Sequence, residues 1–94
     1  MIQLDKTIPC DIFLNNLSKE LQNKYNLKQV GDITMYGISL TNGKLDIQVA
    51  FQYLSDKFTM GIKPNGYNVG FTEKDIITNL TLAKVFEILD RKLI

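Results

Sequence analysis

The middle third of the chain, from Ile33 to Phe71, alternates apolar and polar residues and is interrupted twice by the pair Asn-Gly. Alternation with a period of two is typical of strands that bury one face, and Asn-Gly between such runs is typical of hairpins. A one-residue slip would move every side chain of a strand to the opposite face, so the pattern also indicates which residues share a face. This segment therefore predicts an antiparallel meander.

Two strand registers follow if the first two turns are two-residue loops. A type I′ turn at Asn42-Gly43 would pair apolar residues with one another: Leu40 with Leu45, Ile38 with Ile47, and Tyr36 with Val49. A loop at Ser55-Asp56 would do the same for the next pair of strands, placing Phe51 opposite Met60 and Val49 opposite Ile62. Pairing and hydrophobic pattern agree in both hairpins.

The third turn, Lys63-Pro64-Asn65-Gly66, fits two geometries. A type I turn with Pro64 in its second position and Gly66 as a left-handed bulge residue would turn the next apolar residues outward. A two-residue loop at Asn65-Gly66 would turn the same residues inward: Tyr67, Val69 and Phe71. Pro64 favours the first geometry. We favour the second, because burial of each such side chain contributes ~1.5–3 kcal/mol.

Helices are predicted at both ends of the meander. The first runs from about Pro9 to Tyr25, with an apolar stripe at helical spacing formed by Phe13, Leu14, Leu17 and Leu21. The second begins after Thr72, a plausible N-cap with Asp75 in the capping-box position, and runs to about Arg91. The sequence therefore predicts a single α+β domain over residues 1–94. We expect a two-layer sandwich in which a four-stranded antiparallel meander carries both helices on one face, in the order α-β-β-β-β-α.

The residue content argues against an enzyme. The chain has no histidine and one cysteine, so no Ser-His or Cys-His pair and no histidine metal ligand can form. Glycine-rich phosphate-binding motifs are also missing. We therefore predict no catalytic residue, no metal site and no cofactor. A single cysteine favours a reducing compartment, and the N-terminus lacks an apolar run, so we expect a cytoplasmic protein that does not enter the membrane.

Cys10 allows two interpretations. It lies near the predicted start of the first helix, where the helix dipole can lower a thiol pKa. Alternatively, it is a small apolar residue packed against the sheet, which we favour because Lys6 is the one basic residue predicted nearby.

The predicted last helix carries more apolar surface than one contact with a sheet requires. The surplus either packs on the first helix or binds a protein partner or a second copy of the chain. The candidate partner-binding residues on this helix are Leu82, Val85 and Leu89.

The outer face of the sheet is a second candidate site. Three two-residue hairpins would align small and flexible residues in a row across the strands, leaving a shallow trough for a partner: Met35, Ala50, Gly61 and Gly70. Tyr67 and Phe71 would join this surface if they point outward. The alternative is that the glycines serve sheet twist or bulges.

One stretch resembles part of a known family. The segment from Thr72-Glu73-Lys74-Asp75 through Leu82-Ala83-Lys84-Val85 resembles the final helix of the double-stranded-RNA-binding domain, whose order of helix, strands and helix is also similar. That resemblance implies phosphate contacts from the start of the helix. Only Lys74 stands there, beside Glu73 and Asp75, and the fourth strand is extra. Nucleic-acid binding would also draw on Lys44, Lys57 and Lys63, with Tyr67 nearby.

The preferred functional hypothesis is a small non-catalytic protein-binding module. Net charge is +1, with 11 basic and 10 acidic residues and no charged block, which predicts no strong attraction to nucleic acid or membrane. Small size, no catalytic set and ten lysines against one arginine resemble the profile of phage or mobile-element proteins that inhibit bacterial enzymes. Self-association through the last helix is a further expectation, and nucleic-acid binding is the alternative.

Overall fold

The computed structural model describes residues 7, 9–33, 37–52, 55–64 and 71–94. The predicted α+β class is confirmed: an antiparallel sheet lies between an N-terminal and a C-terminal helix. Within these residues the sheet has five strands, where four were predicted, and their order is β1-β2-β3-β4-β5. The elements are α1 (Cys10–Tyr25), β1 (Lys28–Gln29), β2 (Gly37–Thr41), β3 (Leu45–Gln52), β4 (Lys57–Pro64), a 3-10 turn (Glu73–Asp75), β5 (Ile76–Leu80) and α2 (Leu82–Leu93).

Both helices pack on one face of the sheet, which we call the inner face. Alternation along β3 directs Ile47, Val49 and Phe51 to this face, and each is at most 4% exposed. Phe13 of α1 meets Phe51 and Phe58 with ring centroids 5.7 and 6.2 Å apart. α2 completes the same core with its buried residues, Val85, Phe86, Ile88 and Leu89.

The first helix has the predicted bounds and the predicted stripe. Phe13, Leu14, Leu17 and Leu21 are all buried. Pro9 precedes the first helical residue, and the helix ends at Asn26, whose φ of 54° is left-handed. The Asn26 N–H donates to the Gln22 carbonyl, so the final turn is closed by an αL cap.

The predicted register of the first hairpin is wrong by two residues. Leu40 pairs with Ile47 and Ile38 with Val49, and the last pair before the turn is Thr41 with Asp46, so four residues lie between the paired positions. The reason is the Asn42 side chain, whose Oδ1 accepts hydrogen bonds from the N–H groups of Lys44 and Leu45, both at 2.8 Å. This local bonding widens the turn.

The second hairpin shows the same shift. Phe51 pairs with Phe58 and Val49 with Met60, two residues from the predicted partners. Because the side-chain period of a strand is two, an even shift preserves the face of every residue. The predicted inner face is therefore right in both hairpins although the individual pairs are wrong.

The predicted start of the last helix is also wrong. Thr72 and Asp75 do bond as expected, since Asp75 Oδ2 accepts from Thr72 N at 2.9 Å, but they frame a 3-10 turn. The β-branched run of residues 76–78 then continues as β5, with Ile76 opposite Gly61. Pairing with β4 outweighs the helical pattern there, and α2 begins at Leu82.

Thr81 is the N-cap of α2, and its removal provides a test of this boundary. Its Oγ1 accepts a hydrogen bond from the Lys84 N–H at 3.2 Å. We expect Thr81→Ala to lower the free energy of unfolding by about 1 kcal/mol, measured by urea denaturation. Thr81→Ser should retain most of the stability because it keeps the acceptor. A loss of helix circular dichroism in Thr72→Ala but not in Thr81→Ala would contradict the assigned boundary.

Candidate functional site

The partner-binding residues predicted on the last helix belong to the core. Val85 and Leu89 are fully buried, and Leu82 is half-buried against the same cluster. The predicted surplus of apolar surface includes Ile76, Ile77 and Leu80, which lie on β5 and not on the helix. With those residues removed, the apolar stripe of α2 is used by its own sheet, so Val85 and Leu89 are not available to a partner.

The row of small residues predicted on the outer face does not align. Ala50 pairs with Gly37 and Thr59, whereas Gly61 pairs with Gln48 and Ile76. The two-residue register shift separates Ala50 from Gly61 along the strands. Met35 and Gly70, the other two members of the row, lie outside the described residues, as do Tyr67 and Val69.

Phe71 lies on the outer face of the sheet. The preferred prediction, a two-residue loop at Asn65-Gly66 that turns Phe71 to the inner face, is therefore wrong for this residue. A Cβ atom placed on Gly61 would lie 2.5 Å from a carbon of the Phe71 ring, so the ring rests directly on the glycine. The Lys63 Nζ is 5.4 Å from the centroid of the same ring and 3.3 Å from Asp46 Oδ2. The inner face is already filled by the two helices, and the half-buried Phe71 covers part of the opposite one.

The lysines predicted to bind nucleic acid do not form one patch. Lys63 is 9% exposed and is paired with Asp46. Lys44 precedes β3 and Lys57 pairs with Gln52 at the other end of that strand. Eight residues of extended chain separate these ends by about 25 Å. Lys74 lies in the 3-10 turn, so the segment that resembles an RNA-binding helix does not begin one.

Cys10 does not have the surroundings of a reactive thiol. It is half-buried at the start of α1. Burial raises the pKa of its thiol, and the neighbouring Asp11 carboxylate raises it further. Reactive cysteines are found in electropositive settings that lower the pKa, so these surroundings favour a packing role.

A polar cluster joins the ends of the two helices. The Tyr25 hydroxyl lies 2.6 Å from Asp90 Oδ1 and 3.2 Å from the Phe86 carbonyl oxygen, and it serves as the donor. The Lys24 Nζ is 3.4 Å from the same Asp90 oxygen. The hydrogen bond from Tyr25 lowers the pKa of Asp90, while burial and that carboxylate raise the pKa of Tyr25. All of these groups are paired with one another, so the cluster fastens α1 to α2.

The structure shows a groove that the sequence did not reveal, which we call the β5–α2 groove. It has a volume of about 440 Å³, and its described lining residues are Ile77 of β5 and Ile88, Arg91 and Lys92 of α2. Ile77 is 41% exposed although it is a large apolar residue. The β-branched run at residues 76–78 was the available signal for β5, but helical spacing of the flanking apolar residues obscured it.

β5 is the last strand of the sheet in the part of the chain that the structure describes. It pairs with β4 on one side, and no strand in the described part of the chain pairs with its other side. The backbone of an edge strand can accept a further strand, so this edge and the groove beside it form one surface.

We find no match to this chain among protein-family models, curated proteins or solved structures.

Two further findings concern sites of other kinds. Within residues 7, 9–33, 37–52, 55–64 and 71–94, no three acidic or cysteine side chains are grouped so that they could hold a metal ion. In the same residues, neither helix has the length and apolar character needed to cross a membrane.

The contact between Gly61 and Phe71 can be tested by a double-mutant cycle. Gly61→Ala should lower the free energy of unfolding by about 1–3 kcal/mol, because its methyl group would overlap the ring. The same substitution in a Phe71→Ala background should cost much less, since the overlap is then relieved. Urea denaturation of the four proteins provides the measurement. Equal costs of Gly61→Ala in both backgrounds would contradict the placement of Phe71 on the outer face.

The Tyr25–Asp90 pair predicts an acid-dependent loss of stability. The pKa of Asp90 is lower in the folded chain, so its carboxylate contributes stability above its unfolded pKa, and that contribution is lost as the pH falls through the folded value. We expect Asp90→Asn to lower the melting temperature at pH 7 and to reduce the further decline below about pH 4. Asp32→Asn, at an exposed site after β1, is the control. Parallel pH profiles for Asp90→Asn and wild type would contradict this role.

Proposed function

We propose that this protein is a non-catalytic protein-binding module that receives an extended segment of its partner along the free edge of β5. The observation that carries the proposal is that β5 is paired on one side alone among the described strands. In strand addition, backbone hydrogen bonds to an open sheet edge provide affinity, and pockets for alternate side chains provide specificity. The β5–α2 groove lies where such a pocket is needed.

The side chains of β5 suit this role on both faces. Ile76 pairs with Gly61 on the outer face, and Ile77 pairs with Met60 on the inner face. They are 38% and 41% exposed. Single exposed apolar residues are common, but two in succession on an open edge offer contacts to alternate residues of an added strand.

The edge is also limited in length. The pairing of β5 with β4 shifts between Phe58 and Met60, and Asn79 has a left-handed φ of 60°. Such an irregularity bends a strand and interrupts continuous pairing. The usable edge is therefore the first part of β5, which suits a short extended segment better than a long flat sheet.

The biological setting predicted from composition, a phage or mobile-element inhibitor of a bacterial enzyme, stays a prediction. A strand-binding module is compatible with that role because it can occupy a segment of another protein without chemistry. Nucleic-acid binding is the weaker alternative, since Lys44, Lys57 and Lys63 lie apart or are paired. Duplex RNA binding that weakens steeply with salt would support it.

A matched pair of substitutions tests the proposal. Ile77→Lys alters the β5 edge, whereas Ile12→Lys alters an isoleucine of similar exposure, 48%, on α1. α1 packs against β1 and β2, which lie toward the opposite edge of the sheet from β5. We expect wild type and Ile12→Lys to capture the same proteins from extracts of the source cells. Ile77→Lys should capture at least about tenfold less of them, which corresponds to a loss of ~1.4 kcal/mol in binding free energy.

Quantitative mass spectrometry measures the capture, and circular dichroism verifies that both variants are folded. If Ile77→Lys retained the same proteins at the same level as wild type, the binding edge would not be β5.

A further inference from the structure

We infer that the β5–α2 groove selects an acidic extended peptide, with one apolar side chain between Ile77 and Ile88 and carboxylates beside Arg91 and Lys92. This inference rests on the proposed strand-addition function and adds the chemistry of the partner. It joins three features of one surface: a strand edge that no other described strand covers, an apolar recess and two adjacent cations.

The recess has room for a side chain from an added strand. The groove is open to solvent, and its volume of about 440 Å³ is more than one side chain needs. Ile77 forms the strand wall, and Ile88, which is 8% exposed, forms the helix wall. A strand that pairs with β5 would direct every second side chain to the inner face, where this recess lies.

The cations at the end of α2 exceed the acids available to pair with them. Glu87 is shared, because its carboxylate lies 3.2 Å from Lys84 Nζ and 3.4 Å from Arg91 Nη2. Asp90 bonds to Tyr25 and Lys24 instead. Within the described residues Lys92 has no acidic partner, so the side chains lining the groove carry excess positive charge, which the helix C-terminus offsets only in part.

This charge indicates what kind of strand the edge would accept. Exposed ion pairs are individually weak and are screened by salt, so Arg91 and Lys92 would not hold a partner alone. They would discriminate among strands that the backbone and the recess already bind, because a basic segment would bring like charges together. An acidic segment with alternating apolar residues would fill the apolar recess and would also place carboxylates beside Arg91 and Lys92.

A second copy of the chain fits the groove less well. In a two-fold dimer formed through β5, each copy would bring its own Arg91 and Lys92 to the shared interface. Two grooves of the same charge would then face each other. Charge complementarity therefore favours a different, acidic partner over self-association at this edge.

A random peptide display library provides a probe that does not require a known partner. We expect selection on the full-length wild-type chain to enrich peptides in which apolar residues alternate with Asp or Glu. Selection on the double variant Arg91→Glu/Lys92→Glu should enrich Lys or Arg in those positions. The control is Lys28→Glu/Lys44→Glu, which changes net charge equally at exposed sites on β1 and in the β2–β3 loop, and it should select the same acidic peptides as wild type.

Binding of an enriched synthetic peptide then measures the effect. Fluorescence anisotropy should show at least about tenfold weaker binding to Arg91→Glu/Lys92→Glu than to wild type or the control pair. Methylation of alternate backbone nitrogens on the peptide edge should abolish binding, because an added strand needs those N–H groups. Urea denaturation verifies that the variants remain folded.

The outcomes separate the two proposals. Enriched peptides that are neutral or basic, or equal losses in the two charge-reversal pairs, would overturn the acidic-partner inference while leaving strand addition intact if Ile77→Lys still prevents binding. Enrichment that is insensitive to Ile77→Lys would overturn both. Sedimentation that shows a dimer disrupted by Ile77→Lys would assign the edge to a second copy and overturn the inference.

Discussion

The burial of one face of the sheet under two helices is the constraint on which the rest of the structure depends. Phe13, Phe51 and Phe58 meet at its centre with ring centroids 4.9–6.2 Å apart. α1 and α2 use their apolar stripes on this core, and Val85 and Leu89 are buried in it. On the outer face, the Phe71 ring covers Gly61. The binding surface that we propose lies instead at one edge of the sheet.

β5 is both a structural strand of the sheet and the strand at which we propose binding. Leu80 closes the core beside Phe58, and this requires the strand to pair with β4. No described strand pairs with the other side of β5, where Ile76 and Ile77 are exposed. Natural proteins often protect such edges with irregular pairing, and the pairing of β5 with β4 shifts between Phe58 and Met60. Two exposed isoleucines beside a groove lined by Arg91 and Lys92 are the basis for the proposal that this edge binds a partner.

The sequence predicted faces better than pairs. Alternation in β3 assigned Ile47, Val49 and Phe51 to the inner face, because burial depends only on the parity of a position. Register depends on turn geometry, and the Asn42 side chain widened the first loop by bonds that the Asn-Gly motif does not specify. The candidate site was missed for a related reason. Residues 76–80 fit helical spacing, and only their pairing with β4 shows that they form a strand.

The sequence by itself determined the α+β class, the first helix, the inner face of the sheet and the lack of histidine chemistry. These follow from local periodicity and residue type, which operate within a few neighbouring residues. Tertiary structure alone decided the strand pairs, the position of Phe71 over Gly61, the start of α2 and the groove beside Ile77. Each depends on contacts between residues distant in the chain, where burial and strand pairing outweigh local preference.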